Sequence, residues 1–285
     1  MHDDGSVGDP VPSPDAIRLR DAGDGRRLDL VGGRLIDRPA PGALWPRRLE
    51  PPAWDEADLR FDRGTGWTGD PTPWTVGIDG VTLELRPTEA GQIGLFPEHV
   101  AFWPWLRTAL AGRADATVLN LFAATGPTTL ALAAAGAAVT HVDAARPAVA
   151  WARRNAELSE LADRPIRWIV DDALGFARRE ARRGRRYDGF VLDPPSFGHA
   201  AGGARWELAE RLADLLDACA ALAAEDAFVL LTAHSTGLRA QDLGDALLDA
   251  FEPGPGSELT VEPIDVTADS GAVLHLGAAA RMIRG

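Results

Sequence analysis

The string richest in chemistry is Asp193-Pro194-Pro195-Ser196-Phe197. Its two prolines fix the backbone and remove two amide donors, which leaves the strand-end carbonyls and the Asp193 carboxylate as acceptors. Acceptors beside an aromatic ring suit a flat, donor-bearing molecule such as a nucleobase: Asp193 and the Pro194 carbonyl take its edge while Phe197 stacks on its face. Three other acids stand at the ends of apolar runs. Asp143 can accept from both hydroxyls of a ribose, or cap the helix that follows. Asp171 and Asp172 can hold an adenine amino group, or cap a helix in turn. His234 is a candidate proton acceptor or a strand-end residue, and His99 a site contact or a turn residue. Gly198-His199 and Gly202-Gly203 form a candidate lid in which His199 is not the catalyst.

These residues need a scaffold, and the chain alternates strand with helix from Phe102 onward. Residues 117–122 (TVLNLF) read as a strand, followed by the turn Ala123-Ala124-Thr125-Gly126 and a helix ended by Gly136. Further strands fall at 138–142, 166–170, 187–192 and 227–231. Helices lie between them: one with Pro147 in its first turn, one at 174–183, and one carrying Leu208, Leu212, Leu215, Cys219 and Leu222. Two strands around Asp269-Ser270-Gly271 close the chain. This order predicts an α/β protein with a mostly parallel sheet covered on both faces, its ligand outside the carboxyl ends of the strands. The turn at 123–126 has one Gly where a pyrophosphate-binding loop wants three, which argues against a nicotinamide dinucleotide. Upstream, hairpins at 28–36 (turn Gly32-Gly33) and at 74–85 (turn Asp79-Gly80) predict a small β-rich N-terminal domain at 16–92. Its tryptophans are core filling or a base-stacking platform. Residues 1–15 read as a disordered tail and 93–285 as the larger domain.

The segments LNLFAATGPTTLALAAAGA, THVDAARPAVAWARRNAELS, IRWIVDDALGFARRE and RYDGFVLDPPSFG together resemble the class I S-adenosylmethionine-dependent methyltransferases. Within them the chain is most similar to the large-subunit rRNA methyltransferases that act on cytosine C5 or guanine N7, over roughly residues 94–240. The resemblance implies a Rossmann-like seven-stranded sheet with S-adenosylmethionine as cofactor. It further implies that Ala123, Thr125 and Gly126 pack on the methionine part, Asp143 on the ribose, Asp171 or Asp172 on the adenine, and Asp193–Phe197 on the target base. Gly94-Leu95-Phe96-Pro97-Glu98-His99 resembles the family's Gly-Phe-Phe-Leu-Asp-Gln segment, which places Phe96 against the cofactor; Glu98 and His99 depart from the acid–amide pair.

Two departures direct the chemistry. The family's extra N-terminal RNA-binding domain has no evident counterpart here. The thiolate needed for attack on cytosine C6 is also absent after the fifth strand, where this chain has Thr232-Ala233-His234-Ser235. Cys219, the one cysteine, lies on an apolar helical stripe as an inert thiol, so transfer to a nitrogen is favoured over carbon. The 285 residues carry a net charge of −13, and every one of the 29 cations is Arg. That balance disfavours a bulk electrostatic grip on nucleic acid, and the Arg-rich run 178–186 is expected at the pole away from the crevice. One cysteine and no clustered Cys/His spacing predict no disulfide and no metal, and no apolar run predicts a membrane span. The expectation is a cytoplasmic enzyme acting on rRNA. The alternatives are a small-molecule methyltransferase and a non-catalytic RNA- or partner-binding protein that kept the fold.

Overall fold

A computed structural model describes residues 16–199, 205–235 and 237–285. The expected tail at 1–15 and the Gly202-Gly203 half of the lid lie outside them. Strands β1 (Ile17–Gly23), β2 (Arg26–Val31) and β3 (Arg34–Pro39) form an antiparallel meander. Gly32 and Gly33, at φ 57° and 80°, make its two-residue turn, a conformation that other residues adopt only with strain. After the short helix α1 (Pro51–Asp55), β4 (Leu59–Asp62) joins β3 in parallel and β5 (Gly66–Gly69) completes a five-stranded sheet. The indole N–H groups of Trp45, Trp67 and Trp74 donate to the carbonyls of Ala22, Thr88 and Val31, and that of buried Trp54 donates to Asp21. Their polar edges are spent internally: Trp54 is buried in the core and Trp45, Trp67 and Trp74 pack against it, the core-filling arrangement.

The hairpin of β6 (Trp74–Ile78) and β7 (Val81–Leu85) turns at Asp79-Gly80, as the alternation requires. A 3₁₀ turn (Pro97–Phe102) and α2 (Trp103–Leu110) then lead into the larger layer. There β8 (Thr117–Leu121), α3 (Pro127–Ala134), β9 (Ala138–Asp143), α4 (Arg146–Leu158), β10 (Ile166–Val170), α5 (Ala173–Arg182) and β11 (Tyr187–Leu192) alternate. A small ribbon of β12 (Phe197–His199) and β13 (Arg205–Glu207) precedes α6 (Leu208–Ala220), β14 (Ala223–Ala233), α7 (Ala240–Phe251), β15 (Glu258–Thr267) and β16 (Val273–Ile283).

The seven-stranded sheet runs β10-β9-β8-β11-β14-β16-β15, with β16 antiparallel to both its neighbours. Strand order reverses between β8 and β11, and such a switch point leaves a crevice at the carboxyl ends of the strands. The central strands are buried on both faces, hence their unbroken apolar runs. Helix α7 was not foreseen, although Leu243, Leu247 and Phe251 stack on one face and are buried. The hairpin β6–β7, placed in the N-terminal unit on sequence grounds, packs on α3 and α4, where the Asn155 side chain accepts from Glu84 N and Ser159 Oγ accepts from Thr82 N. Among the described residues no helix is long and apolar enough to cross a membrane.

Candidate functional site

The turn after β8 is built under strain. Phe122 (φ 57°) and Ala124 (φ 47°) both sit in the left-handed region, which costs a residue with a Cβ about 1 kcal/mol or more. Three bonds hold them there: Ala123 N donates to the Val142 carbonyl, Ala124 N to Asp143 Oδ2, and Gly126 N to the Ala123 carbonyl. Gly126 (φ 84°) is needed twice over, since a Cβ there would also meet the Ala152 methyl at 2.9 Å. Thr125 Oγ1 donates to the Gly94 carbonyl at 2.5 Å, tying the turn to the segment that carries Phe96.

Asn155, which the sequence reading missed, secures the same turn from below. Fully buried on α4, it donates to the Thr125 carbonyl at 2.9 Å while accepting from the β7 backbone. Deeper still, Asn120 Nδ2 donates to Thr129 Oγ1 (2.8 Å), whose hydroxyl proton is left for Nδ1 of buried His141 (2.9 Å). Burial, helped by Arg153, pushes the His141 pKa down to about 3. The unfolded chain therefore binds a proton that the folded one refuses, so this contribution is intact above about pH 6.5 and lost as pH falls toward 3. Between pH 6.5 and 5 the loss amounts to about 2 kcal/mol. Urea unfolding at the two pH values checks it: wild type should lose about that much more stability than His141→Phe, and equal losses would remove His141 as the cause.

Asp143 closes β9 but is not the cap of α4, whose N-cap is Ala145. Its two oxygens accept one backbone amide each, from Ala145 N and Ala124 N, both at 2.8 Å. A carboxylate offers about four lone-pair positions, so an oriented anion with acceptor capacity left over lines the crevice. Asp172 caps α5 through Gly175 N and also lines the crevice. Asp171 is engaged elsewhere, ion-paired with Arg179 and accepting from Asp172 N.

Asp193 follows β11, and Thr232 Oγ1 on β14 donates to its Oδ1 at 2.6 Å. Pro194 and Pro195 line the crevice, and the Pro195 carbonyl accepts from Trp206 Nε1 at 2.7 Å. The ring expected at Phe197 is elsewhere. Phe197 is 65% exposed and is not among the crevice's lining residues. Trp206 stands opposite Gly198, and successive residues of a strand alternate faces, so Trp206 and Phe197 point to opposite faces of the ribbon; the ring turned inward is Trp206, packed on Phe122 with ring centroids 5.2 Å apart. The signal for Trp206 was weak, a lone tryptophan after a glycine pair.

Phe96, Phe122, Ala124, Asp143, Asp172, Asp193, Pro194, Trp206 and His234 thus share one crevice of about 400 Å³. This is the size and mostly apolar character of a small-molecule site, and of its three anchored carboxylates Asp143 and Asp172 suit the hydroxyls and amine of a nucleoside. Ala123, Thr125 and Gly126 belong to the turn that carries Ala124 but do not line the crevice themselves. His99 and His234 face each other at its edge. Cys219 is fully buried on α6, where burial pushes its thiol pKa up, and it does not line the crevice. Of the arginine run, Arg178 pairs with Asp214, Arg183 with Glu180, and Arg179 with Asp171 just past the end of β10.

No family model matches the chain. A crystal structure of a SAM-dependent methyltransferase from Agrobacterium tumefaciens is 34% identical, with a TM-score of 0.88 over 95% of this chain and 91% of that one. Ribosomal RNA large subunit methyltransferase I of Pseudoalteromonas translucida is 29% identical over 205 residues, 66% of this chain. Ribosomal RNA large subunit methyltransferase K/L of a Shewanella species (strain ANA-3) is 32% identical over 136 residues, 43% of this chain. The matches span 48% and 19% of those two curated relatives.

Proposed function

Because the chain belongs to the class I S-adenosylmethionine-dependent methyltransferases, we propose that it methylates a base of ribosomal RNA, at a nitrogen of that base. S-adenosylmethionine, when bound, supplies an electrophilic methyl group on a sulfonium. The residues present fit it: Asp143 holds the ribose hydroxyls, Asp172 the adenine amine, and the strained turn at 123–126 with Phe96 encloses the methionine part. Asp172 is preferred to Asp171 because Asp171 spends its carboxylate on Arg179.

The observation that carries the acceptor reading is Asp193, locked by Thr232 and set beside the Pro194 carbonyl and the Trp206 ring. Asp193 and that carbonyl accept from an amino group and aim its lone pair, and the Asp193 carboxylate takes the proton the product sheds. Nitrogen already has a lone pair, so alignment suffices, whereas carbon C5 needs a thiolate. Buried Cys219 is a poor thiolate. The rRNA reading draws on the names of the relatives, and cytoplasmic placement follows from that substrate. The net charge of −13 favours the rival reading, a small-molecule acceptor.

Nucleoside mass spectrometry of rRNA from a deletion strain, complemented by wild type or by Cys219→Ser, tests both parts. One N-methylated nucleoside should vanish on deletion and return with either gene. An unchanged nucleoside profile would turn the reading to a small molecule, and failure of a folded Cys219→Ser protein would reinstate the thiolate route.

A further inference from the structure

His99 lies in the 3₁₀ turn before α2, Asp193 at the end of β11, and His234 just beyond β14. The two histidines are 135 residues apart in the chain, which is why spacing alone predicted no metal site. In the fold their Nε2 atoms are 3.0 Å apart. His99 Nε2 is 3.6 Å from Asp193 Oδ2, and His234 Nε2 is 3.5 Å from Asp193 Oδ1. We propose that His99, Asp193 and His234 bind one divalent first-row transition-metal ion, of the class of Zn²⁺ or Co²⁺, at the acceptor end of the crevice.

The spacing fits the ion. With metal–ligand bonds of about 2.0–2.2 Å, donor atoms lie about 3.0 Å apart at right angles and about 3.4 Å apart in a tetrahedron; the imidazole pair is at 3.0 Å, and each imidazole is 3.5 or 3.6 Å from a different oxygen of Asp193, close to those spacings. The lone pairs are also prepared. His234 Nδ1 lies 2.8 Å from the Leu276 carbonyl, which can only accept, so Nδ1 carries the proton and the Nε2 lone pair points at the trio. A ligating histidine is usually fixed in this way by a backbone carbonyl. Asp193 is fixed in its turn by the Thr232 hydroxyl.

The competing arrangement is a hydrogen bond from His99 Nε2–H to His234 Nε2. It uses one of the three contacts and leaves both carboxylate approaches beyond hydrogen-bond range. A cation uses all three. Two imidazoles and one carboxylate form a donor set suited to zinc, iron, cobalt or nickel rather than magnesium or calcium. Each of the three side chains keeps between 17% and 29% of its surface exposed, and Asp193 and His234 line the crevice, so the remaining coordination positions open toward the acceptor. An ion held there would supply Lewis-acid chemistry toward an acceptor oxygen next to the reacting atom, and with the ion bound it would stand in for the direct contact of Asp193 to the amino group. That consequence rests on the methyltransferase reading; the binding does not.

The test uses metal alone. The full chain, stripped with chelator and titrated with Co²⁺, should bind one ion with visible absorption bands that Zn²⁺ abolishes. His99→Ala and His234→Ala should each weaken it by about 100-fold or more. The double variant should lose the bands while still binding S-adenosylhomocysteine by calorimetry, which shows that it is folded. No stoichiometric Co²⁺ or Zn²⁺ on the wild type, or equal affinity in a double variant that still binds S-adenosylhomocysteine, overturns the site. Neither result bears on cofactor binding, so the methyltransferase reading stands or falls separately.

Discussion

Replacing Asp143 by alanine is expected to weaken S-adenosylmethionine binding by about 100-fold or more. Each hydrogen bond between a carboxylate and a ribose hydroxyl is charge-assisted and worth roughly 1.5–3 kcal/mol, and two such bonds give at least that factor. The backbone adds to the loss. Asp143 is the acceptor for Ala124 N, so its removal also releases one of the bonds holding the left-handed turn at 123–126, proposed above to enclose the methionine part. Asp143→Asn retains one carbonyl oxygen and should fall between wild type and alanine, because it keeps part of the hydrogen bonding without the charge. Calorimetry with S-adenosylmethionine on the three proteins decides the matter. Wild-type affinity in Asp143→Ala would take the ribose away from this residue.

What was legible in the sequence follows a physical line. The parallel strands are buried on both faces, so each is a short apolar run that ends where its functional acid begins, as at Asp143 and Asp193. Local pattern therefore carried the sheet and the acids that stand at its strand ends. Helix α7 is equally periodic, with Leu243, Leu247 and Phe251 on one buried face. The losses concern side chains whose partners lie far along the chain. Asn155 adjoins the apolar face of α4 in sequence, yet its side chain bridges β7 and the turn at 123–126. Phe197 and Trp206 sit one register position apart on the two strands of a ribbon, and sequence alone does not give that register, so it could not say which ring turns inward. His99 and His234 meet only because the 3₁₀ turn folds over the end of β14.

Asp193 is where cofactor binding and methyl transfer should come apart. The residue lies at the acceptor end of the crevice, held by Thr232 rather than by the turn that carries Asp143. Asp193→Ala should therefore keep S-adenosylmethionine affinity within a few-fold while turnover falls by about 100-fold or more, the cost of a misplaced acceptor. The aromatic residues refine the test. Trp206→Ala removes an inward ring that both faces the acceptor and braces Phe122, whereas Phe197→Ala removes an exposed one. If the acceptor is a base, loss of Trp206 should cost about 1–3 kcal/mol in acceptor binding, and loss of Phe197 much less. An acceptor with no ring would feel neither change as lost stacking. Calorimetry for the cofactor beside steady-state turnover for the acceptor reads all three variants. If Asp193→Ala loses cofactor and turnover together, this carboxylate belongs to the cofactor's half of the crevice. If Phe197→Ala outweighs Trp206→Ala, the ribbon turns its outer ring inward when the acceptor arrives.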